Sequence, residues 1–277
     1  MPLVSLDKVL KPAFDEHYAV AGVVCLGWED ARAYVEAAEE ENLPIVLQAG
    51  PGCRRHTPLP IVAKMLRTLG ENASVPVVVH LDHGYNADEC FQAMDCGFTS
   101  VMFDGSHKPV SENIEISARI VEAARKHGIT VEGEVGVVGY AGGEASESSS
   151  VEDVVRYATE SGVDAVAISV GNVHLQTEKA AVIDFERIRE IEKGTSIPLV
   201  LHGGSGIAPD VRRKLAMETN ICKFNVGTEL RKAFGDALRD ALARDPNRFD
   251  RLALLSETEA PVKLVAREVL RNLRARP

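Results

Sequence analysis

Eight short runs rich in valine and isoleucine, each followed by a longer stretch of helical periodicity, constrain this chain more than any other feature. The apolar runs fall at residues 19–25, 44–48, 75–81, 100–103, 130–135, 165–170, 199–201 and 221–226. Each is bounded by Gly, Pro, Asp or His, as expected of parallel strands buried on both faces. Residues 28–41, 60–69, 88–96, 114–126, 152–160, 185–193, 210–217 and 228–244 alternate apolar and charged faces at three-to-four spacing. That spacing predicts amphipathic helices. Asn86 with Glu89 three residues on reads as a capping box, and Ser150 with Asp153 as a weaker one. Gly70, Gly97, Gly128, Gly162 and Gly194 each follow a helical stretch, as helix stops do. Eight strand-then-helix units close a parallel barrel. A doubly wound open sheet is the competing arrangement, but it rarely needs eight such regular units. The expected fold is therefore α/β: a (β/α)8 TIM barrel taking residues 1–277 as one domain, with an extra C-terminal helix over 260–274. The chain's 277 residues suit the roughly 250 that such a barrel typically needs. The Gly- and Ser-rich stretch 139–149 predicts a mobile loop after the fifth strand.

Charge and composition narrow the function classes. The net charge is −10, from 31 basic and 41 acidic residues, which argues against a nucleic-acid partner. It leaves room for anionic substrates, because a pocket can be locally positive on an acidic protein. The longest apolar runs are too short to span a bilayer, so no membrane partner is expected. The opening residues show no basic segment followed by an apolar core, so no secretory signal is expected either. The five cysteines, Cys25, Cys53, Cys90, Cys96 and Cys222, are odd in number and form no CxxC pair. They read as small buried apolar residues in a cytoplasmic protein, neither a disulfide framework nor a zinc-thiolate site.

In a barrel the chemistry sits where strands end, at the C-terminal mouth. Asp82-His83 follows the third run, Asp104 the fourth, and Glu132-Gly133-Glu134 closes the fifth. His174 follows the sixth run, His202-Gly203-Gly204-Ser205 the seventh, and Asn225-Val226-Gly227-Thr228 the eighth. His83, His174 and His202 would point into one mouth, and three imidazoles with an open fourth position suit a catalytic zinc. A single histidine at a strand end is more often a hydrogen-bonded structural residue, and pattern alone leaves the two readings about even. His80, inside the third run, reads as core or as support for the site, and His107 as a loop residue. Gly203-Gly204-Ser205 offers backbone N–H groups and a hydroxyl to an oxyanion. Asn225, Gly227 and Thr228 lead into a helix whose N-terminus favours anions. Barrels often bind phosphate with these two loops, although each alone also reads as a tight turn.

These segments, in this order and over essentially the whole chain, resemble the class II fructose-bisphosphate aldolase family, with the region after Thr228 closest to the tagatose-bisphosphate branch. The resemblance implies a zinc-dependent lyase, an aldehyde-lyase that reversibly cleaves a phosphorylated ketose to dihydroxyacetone phosphate and an aldehyde. The ketose would be a bisphosphate such as fructose or tagatose 1,6-bisphosphate, or a related ketose 1-phosphate. It implies that His83, His174 and His202 hold Zn2+, and that Asp104 and Glu134 serve a second or resting cation, divalent or monovalent. Asp82 would move the proton on the aldehyde-side hydroxyl, and Gly203, Gly204, Ser205, Asn225, Gly227 and Thr228 would bind the phosphorylated ketone, with Gln48 beside them. A homodimer or homotetramer is also implied.

Several positions depart from the family pattern. Ala49-Gly50 follow Gln48 where a serine is usual, Leu175 follows His174 where a glycine is usual, and Gly227 replaces the usual Asn or Asp. The loop reads Glu144-Ala145-Ser146 where a Glu-Asp pair is usual, which makes Glu144 the candidate proton donor. Pro51-Gly52-Cys53-Arg54-Arg55-His56 replaces a Gly-Ala segment and brings Arg54 and Arg55 toward the mouth as candidate receptors for a second anionic group; two solvated loop arginines are the plainer reading. Lys223, inside the eighth run, reads as a structural ion-pair partner. The changes cluster around the substrate while the ligands stay, so a ketose other than fructose 1,6-bisphosphate is expected. A TIM-barrel zinc hydrolase would leave the phosphate loops unexplained. A non-catalytic aldolase-like subunit would not need Asp82 and all three histidines.

Overall fold

A computed structural model describes residues 2–274 and closes the eight runs into a barrel. The strands are β1 (Val20–Val24), β2 (Ile45–Ala49), β3 (Val77–Gly84), β4 (Ser100–Phe103), β5 (Thr130–Val135), β6 (Ala165–Ile168), β7 (Leu199–Leu201) and β8 (Ile221–Val226). Each pairs in parallel with the next, and β8 pairs with β1. Closure leaves no strand edge for another chain to pair with. The helices are α1 (Asp7–Glu16), α2 (Trp28–Glu41), α3 (Pro51–His56), α4 (Leu59–Asn72), α5 (Ala87–Asp95), α6 (Val110–Arg125), α7 (Val151–Glu160), α8 (Phe185–Gly194), α9 (Pro209–Glu218), α10 (Thr228–Arg244) and α11 (Arg251–Arg274). The open-sheet alternative is excluded.

The local start signals act where expected. Asn86 Oδ1 accepts from Glu89 N at 3.0 Å, and Ser150 Oγ accepts from Asp153 N at 3.3 Å. The return contact of Glu89 goes to the Asn86 side-chain amide and not to its backbone. Gly97, Gly128 and Gly162 adopt positive φ just beyond α5, α6 and α7. Gly70 is different: α4 continues through it to Asn72. A Cβ there would meet Leu3 Cδ1 at 2.9 Å and Val77 Cγ1 at 3.2 Å, so the glycine serves close packing and does not stop the helix.

Three elements exceed the expectation. Helix α1 buries Val9, Leu10 and Ala13, with Leu6 just before it, against Val20, Val46, Val78 and Val200 in an apolar cluster that fills the N-terminal end of the barrel interior. The opposite end, where strands deliver side chains, stays open for chemistry. Helix α3 occupies the loop after β2. Helix α11 starts at Arg251, before the expected 260, and runs through Pro261 while packing along α2 and α10. Among the described residues no helix is long and apolar enough to cross a membrane. All five cysteines are free; four are buried and Cys96 is half-buried.

Candidate active site

The site is built on an irregularity at the end of β3. Pairing with β2 stops at Leu81, and pairing with β4 shifts register between Leu81 and Gly84. Such a bulge re-aims side chains at a barrel rim. His83 sits in it with φ 51°, a left-handed conformation that a non-glycine residue rarely holds without support. The bulge sends the His83 ring toward His202 and His174, with ring centroids 4.7 and 5.2 Å away. His202 follows β7 directly, whereas His174 lies six residues beyond β6. Its position comes from the loop after β5: His174 N donates to Gly139 O at 2.8 Å, Ala141 N donates to His174 O at 2.9 Å, and the Tyr140 ring stacks on the imidazole at 4.9 Å.

The three imidazoles leave one buried nitrogen each without a hydrogen-bond partner: His83 Nε2, His174 Nε2 and His202 Nδ1. The candidate donor atoms of the trio lie within 4.8 Å of one another. Buried polar atoms are normally paired; three that are not, gathered together, fit a cation coordinated by nitrogen. The opposite nitrogens of His83 and His202 meet carboxylates, as those of metal-bound histidines usually do. His83 Nδ1 lies 2.8 Å from Asp104 Oδ2 and 3.6 Å from Glu134 Oε2. His202 Nε2 lies 3.2 Å from Glu132 Oε1. Lys223 Nζ donates to Glu132 Oε2 at 2.7 Å, both side chains being fully buried. His80 Nε2 is 3.8 Å from the same carboxylate, and His80 Nδ1 lies 2.9 Å from Ser100 Oγ. His83, Asp104 and Glu134 form a second group within ligand distance of one another.

These contacts separate the titration of the imidazoles. Burial lowers the His83 pKa, but Asp82, Asp104 and Glu134 outweigh it and hold it up at about 10. Burial, reinforced by His83, pushes His174 well below the usual histidine range, and the same two causes act on His202. Burial would raise Asp104, yet its bond to His83 holds it below the usual carboxylate range. Burial and the Asp104 charge push Glu134 well up.

Beside the imidazoles, Asp82 Oδ1 accepts from Gln48 Nε2 at 2.8 Å and from Asn225 Nδ2 at 3.2 Å. The two amides fix the carboxylate plane and leave Oδ2 facing Gly50. Asp82, His174, Gly203, Ser205, Asn225 and Thr228 line one cavity. Gly203 has φ 64°, and a Cβ on it would meet Val173 O at 2.2 Å. Gly204 and Ser205 lie in the short turn Gly204–Gly206. Ser205 Oγ accepts from Gly227 N and Glu229 N at 3.3 and 3.2 Å, which caps α10 and leaves its O–H free to donate. Arg231, one turn into α10, also lines this cavity, and its Nε lacks a partner.

Some expected residues stand elsewhere. Arg54 does not offer its fork to the mouth: its Nη1 donates to Ala49 O and Asp82 O at 2.7 and 2.6 Å, its Nη2 to His83 O and Glu89 Oε2 at 2.9 and 3.0 Å. Arg55 is exposed at an opening shared with Tyr85 and Gln92. The Glu144 carboxylate is exposed, 3.9 Å from His107 Nε2, while Tyr140 is the loop residue stacked on His174. The loop 139–149 is tied down by Val137 and Glu147, whose backbones exchange bonds of 2.8 and 2.9 Å. Leu175 takes φ 56°, which gives a backbone reason for a glycine at that place. Sequence reading missed Arg231, for which helical spacing from Thr228 was the available signal. It also missed Tyr85 and Tyr140.

A closed parallel barrel that gathers convergent imidazoles, an oriented carboxylate and a helix terminus at one mouth defines a barrel enzyme with a site suited to a metal. A sequence model of the family described as "Fructose-bisphosphate aldolase class-II" matches residues 4–276. A fructose-bisphosphate aldolase of Staphylococcus epidermidis is 36% identical, covering 98% of this chain and 97% of its own. One from Geobacillus stearothermophilus is 38% identical over 90% of this chain and 89% of its own. A 6-phospho-5-dehydro-2-deoxy-D-gluconate aldolase of Halalkalibacterium halodurans is 37% identical over 96% and 94%. The crystal structure of the YdjI aldolase from Escherichia coli K12 superposes with a TM-score of 0.85 at 28% identity, covering 98% of this chain and 97% of that one. The chain belongs to the class II fructose-bisphosphate aldolase family and is an aldolase, a carbon–carbon lyase.

Proposed function

We propose that the protein is a zinc-dependent aldolase that reversibly cleaves a phosphorylated ketose to dihydroxyacetone phosphate and an aldehyde. The observation that carries this reading is the set of three partnerless imidazole nitrogens sharing a mouth with the Asp82 carboxylate and the start of α10. His83, His174 and His202 would hold the zinc, which when bound supplies Lewis-acid stabilisation of the enediolate charge. Asp104 and Glu134 orient His83 and are the candidate ligands of a second cation, divalent or monovalent.

Asp82 takes the proton from the hydroxyl on the aldehyde side. The carbon–carbon bond then breaks, its electron pair passes to the ketone half, and the oxygen that lost its proton becomes the aldehyde carbonyl. Gln48 and Asn225 keep the Asp82 oxygen aimed at that hydroxyl. The phosphate binds at the Gly203-Gly204-Ser205 turn with Asn225, Gly227, Thr228 and the Arg231 guanidinium, where a helix N-terminus favours an anion. Arg55, exposed beside Tyr85, is the remaining candidate for a second anionic group, and Glu144 for returning a proton to the enediolate carbon.

Relatives of similar identity carry names with different phosphorylated substrates, so the ketose is chosen by assay. Zinc-loaded protein is incubated with fructose 1,6-bisphosphate, tagatose 1,6-bisphosphate, ketose 1-phosphates and 6-phospho-5-dehydro-2-deoxygluconate, and dihydroxyacetone phosphate is coupled to glycerol-phosphate dehydrogenase. EDTA-sensitive release from one of these, absent in His83→Ala, is expected. Hydrolysis of the phosphate ester without triose release would overturn the reading.

A further inference from the structure

We propose that Arg54 is a positioning residue that locks the β3 bulge and so sets both the His83 ligand and the Asp82 carboxylate. The inference rests on the roles given to those two residues above. The register shift deprives the end of β3 of regular ladder bonds over Asp82 and His83. Buried carbonyls without partners are costly, and a left-handed residue there persists only if its surroundings over-determine it. The Arg54 guanidinium supplies the missing partners. Its planar fork accommodates the Asp82 and His83 carbonyls at 2.6 and 2.9 Å and reaches back to Ala49 O at the end of β2. A fork of fixed geometry suits this task where a flexible ammonium does not.

The cation is itself compensated. Glu89 Oε2 accepts from Arg54 at 3.0 Å, and the same carboxylate group accepts from Tyr85 N and from the Asn86 amide. One side chain thus joins the ends of β2 and β3 to the first turn of α5. The Arg54 side chain is 12% exposed, so these bonds are largely shielded from water. Arg54 lies in α3, the short helix that follows β2. The side chain that reads from sequence as an anion receptor is instead a brace behind the site.

The test compares Arg54→Ala, Arg54→Lys and Glu89→Gln with the parent protein. Zinc affinity is measured by competition with a chelator, and the geometry of the trio by the visible absorption of the Co2+-substituted protein. Neither readout needs turnover, so a failed aldolase assay and a failed brace are told apart. Arg54→Ala is expected to weaken zinc about 10- to 100-fold, as loss of a ligand-orienting partner typically does, and to alter the Co2+ spectrum. Guanidinium ion at sub-denaturing concentration should restore part of the affinity. If Arg54→Ala does not fold, Arg54→Lys and Glu89→Gln carry the test, each with a smaller loss in the same direction. Folded variants with parental zinc affinity and Co2+ spectrum would overturn the proposal, and a rise confined to KM would return Arg54 to anion binding.

Discussion

With His83 holding the metal as proposed, binding would have to displace a proton from it, and the structure sets how strongly. In the metal-free protein the neighbouring carboxylates outweigh burial and hold the His83 pKa at about 10. At pH 7.5 the ring is therefore protonated, and its Nε2 has no lone pair for a cation. Removing that proton about 2.5 pH units below its pKa costs about 3 kcal/mol, which reduces the apparent affinity by a factor of a few hundred. His174 and His202 are held neutral by burial, so they add no further proton at this pH. Calorimetric titration of the metal-free protein with Zn2+, in buffers of different ionisation enthalpy, should show about one proton released from the protein per zinc, with apparent affinity rising about tenfold per pH unit from pH 7 to 9.

The same raised pKa makes a second, metal-free readout. Protonated His83 stabilises the folded state fully below the unfolded value near 6.5, and that contribution is lost as pH climbs through about 10. The Tm of the chelator-treated protein should fall across that window, and Asp104→Asn should reduce the fall. No proton release at pH 7.5, together with a pH-independent zinc affinity, would refute the assignment of His83 as a ligand embedded among three carboxylates.

Three further outcomes follow from the geometry. Lys223→Met leaves the Glu132 charge buried beside His202 without its cation at 2.7 Å; breaking such a pair costs about 3–5 kcal/mol, a fall in Tm on the order of 10 °C that differential scanning calorimetry would detect. Asp82→Asn should lower kcat about 10²- to 10⁴-fold while zinc stoichiometry stays unchanged, and loss of zinc instead would make Asp82 a metal-site residue. Arg55→Ala should raise KM for a ketose bisphosphate and leave KM for the matching 1-phosphate alone; equal effects on both would remove Arg55 from distal-anion binding.

The barrel was legible because its strands are buried on both faces, which makes each a continuous apolar run, and because Asn86, Ser150 and several glycines mark helix ends. Helix α1 was not read, although Leu6, Val9, Leu10 and Ala13 have helical spacing, because a short segment before the first strand has no partner in sequence. Its partners are strand residues from all around the barrel. The convergence of His83, His174 and His202 was legible since strand ends in a barrel share one mouth. What could not be read was direction. Arg54 and Arg55 are adjacent, yet one turns in to the Asp82 and His83 carbonyls and the other out to solvent. That choice depends on a register shift in β3 that no local pattern announces. Leu175 likewise hides a left-handed backbone behind an ordinary side chain.

The central claim is that this mouth generates an enediolate from a phosphorylated ketone. It is tested most directly without any aldehyde, by incubating the zinc-loaded protein with dihydroxyacetone phosphate in D2O and following the hydroxymethyl carbon by NMR. Exchange of one of the two hydrogens on that carbon is expected, abolished by EDTA and by His83→Ala. A protein with zinc bound at full stoichiometry and no exchange would contradict it.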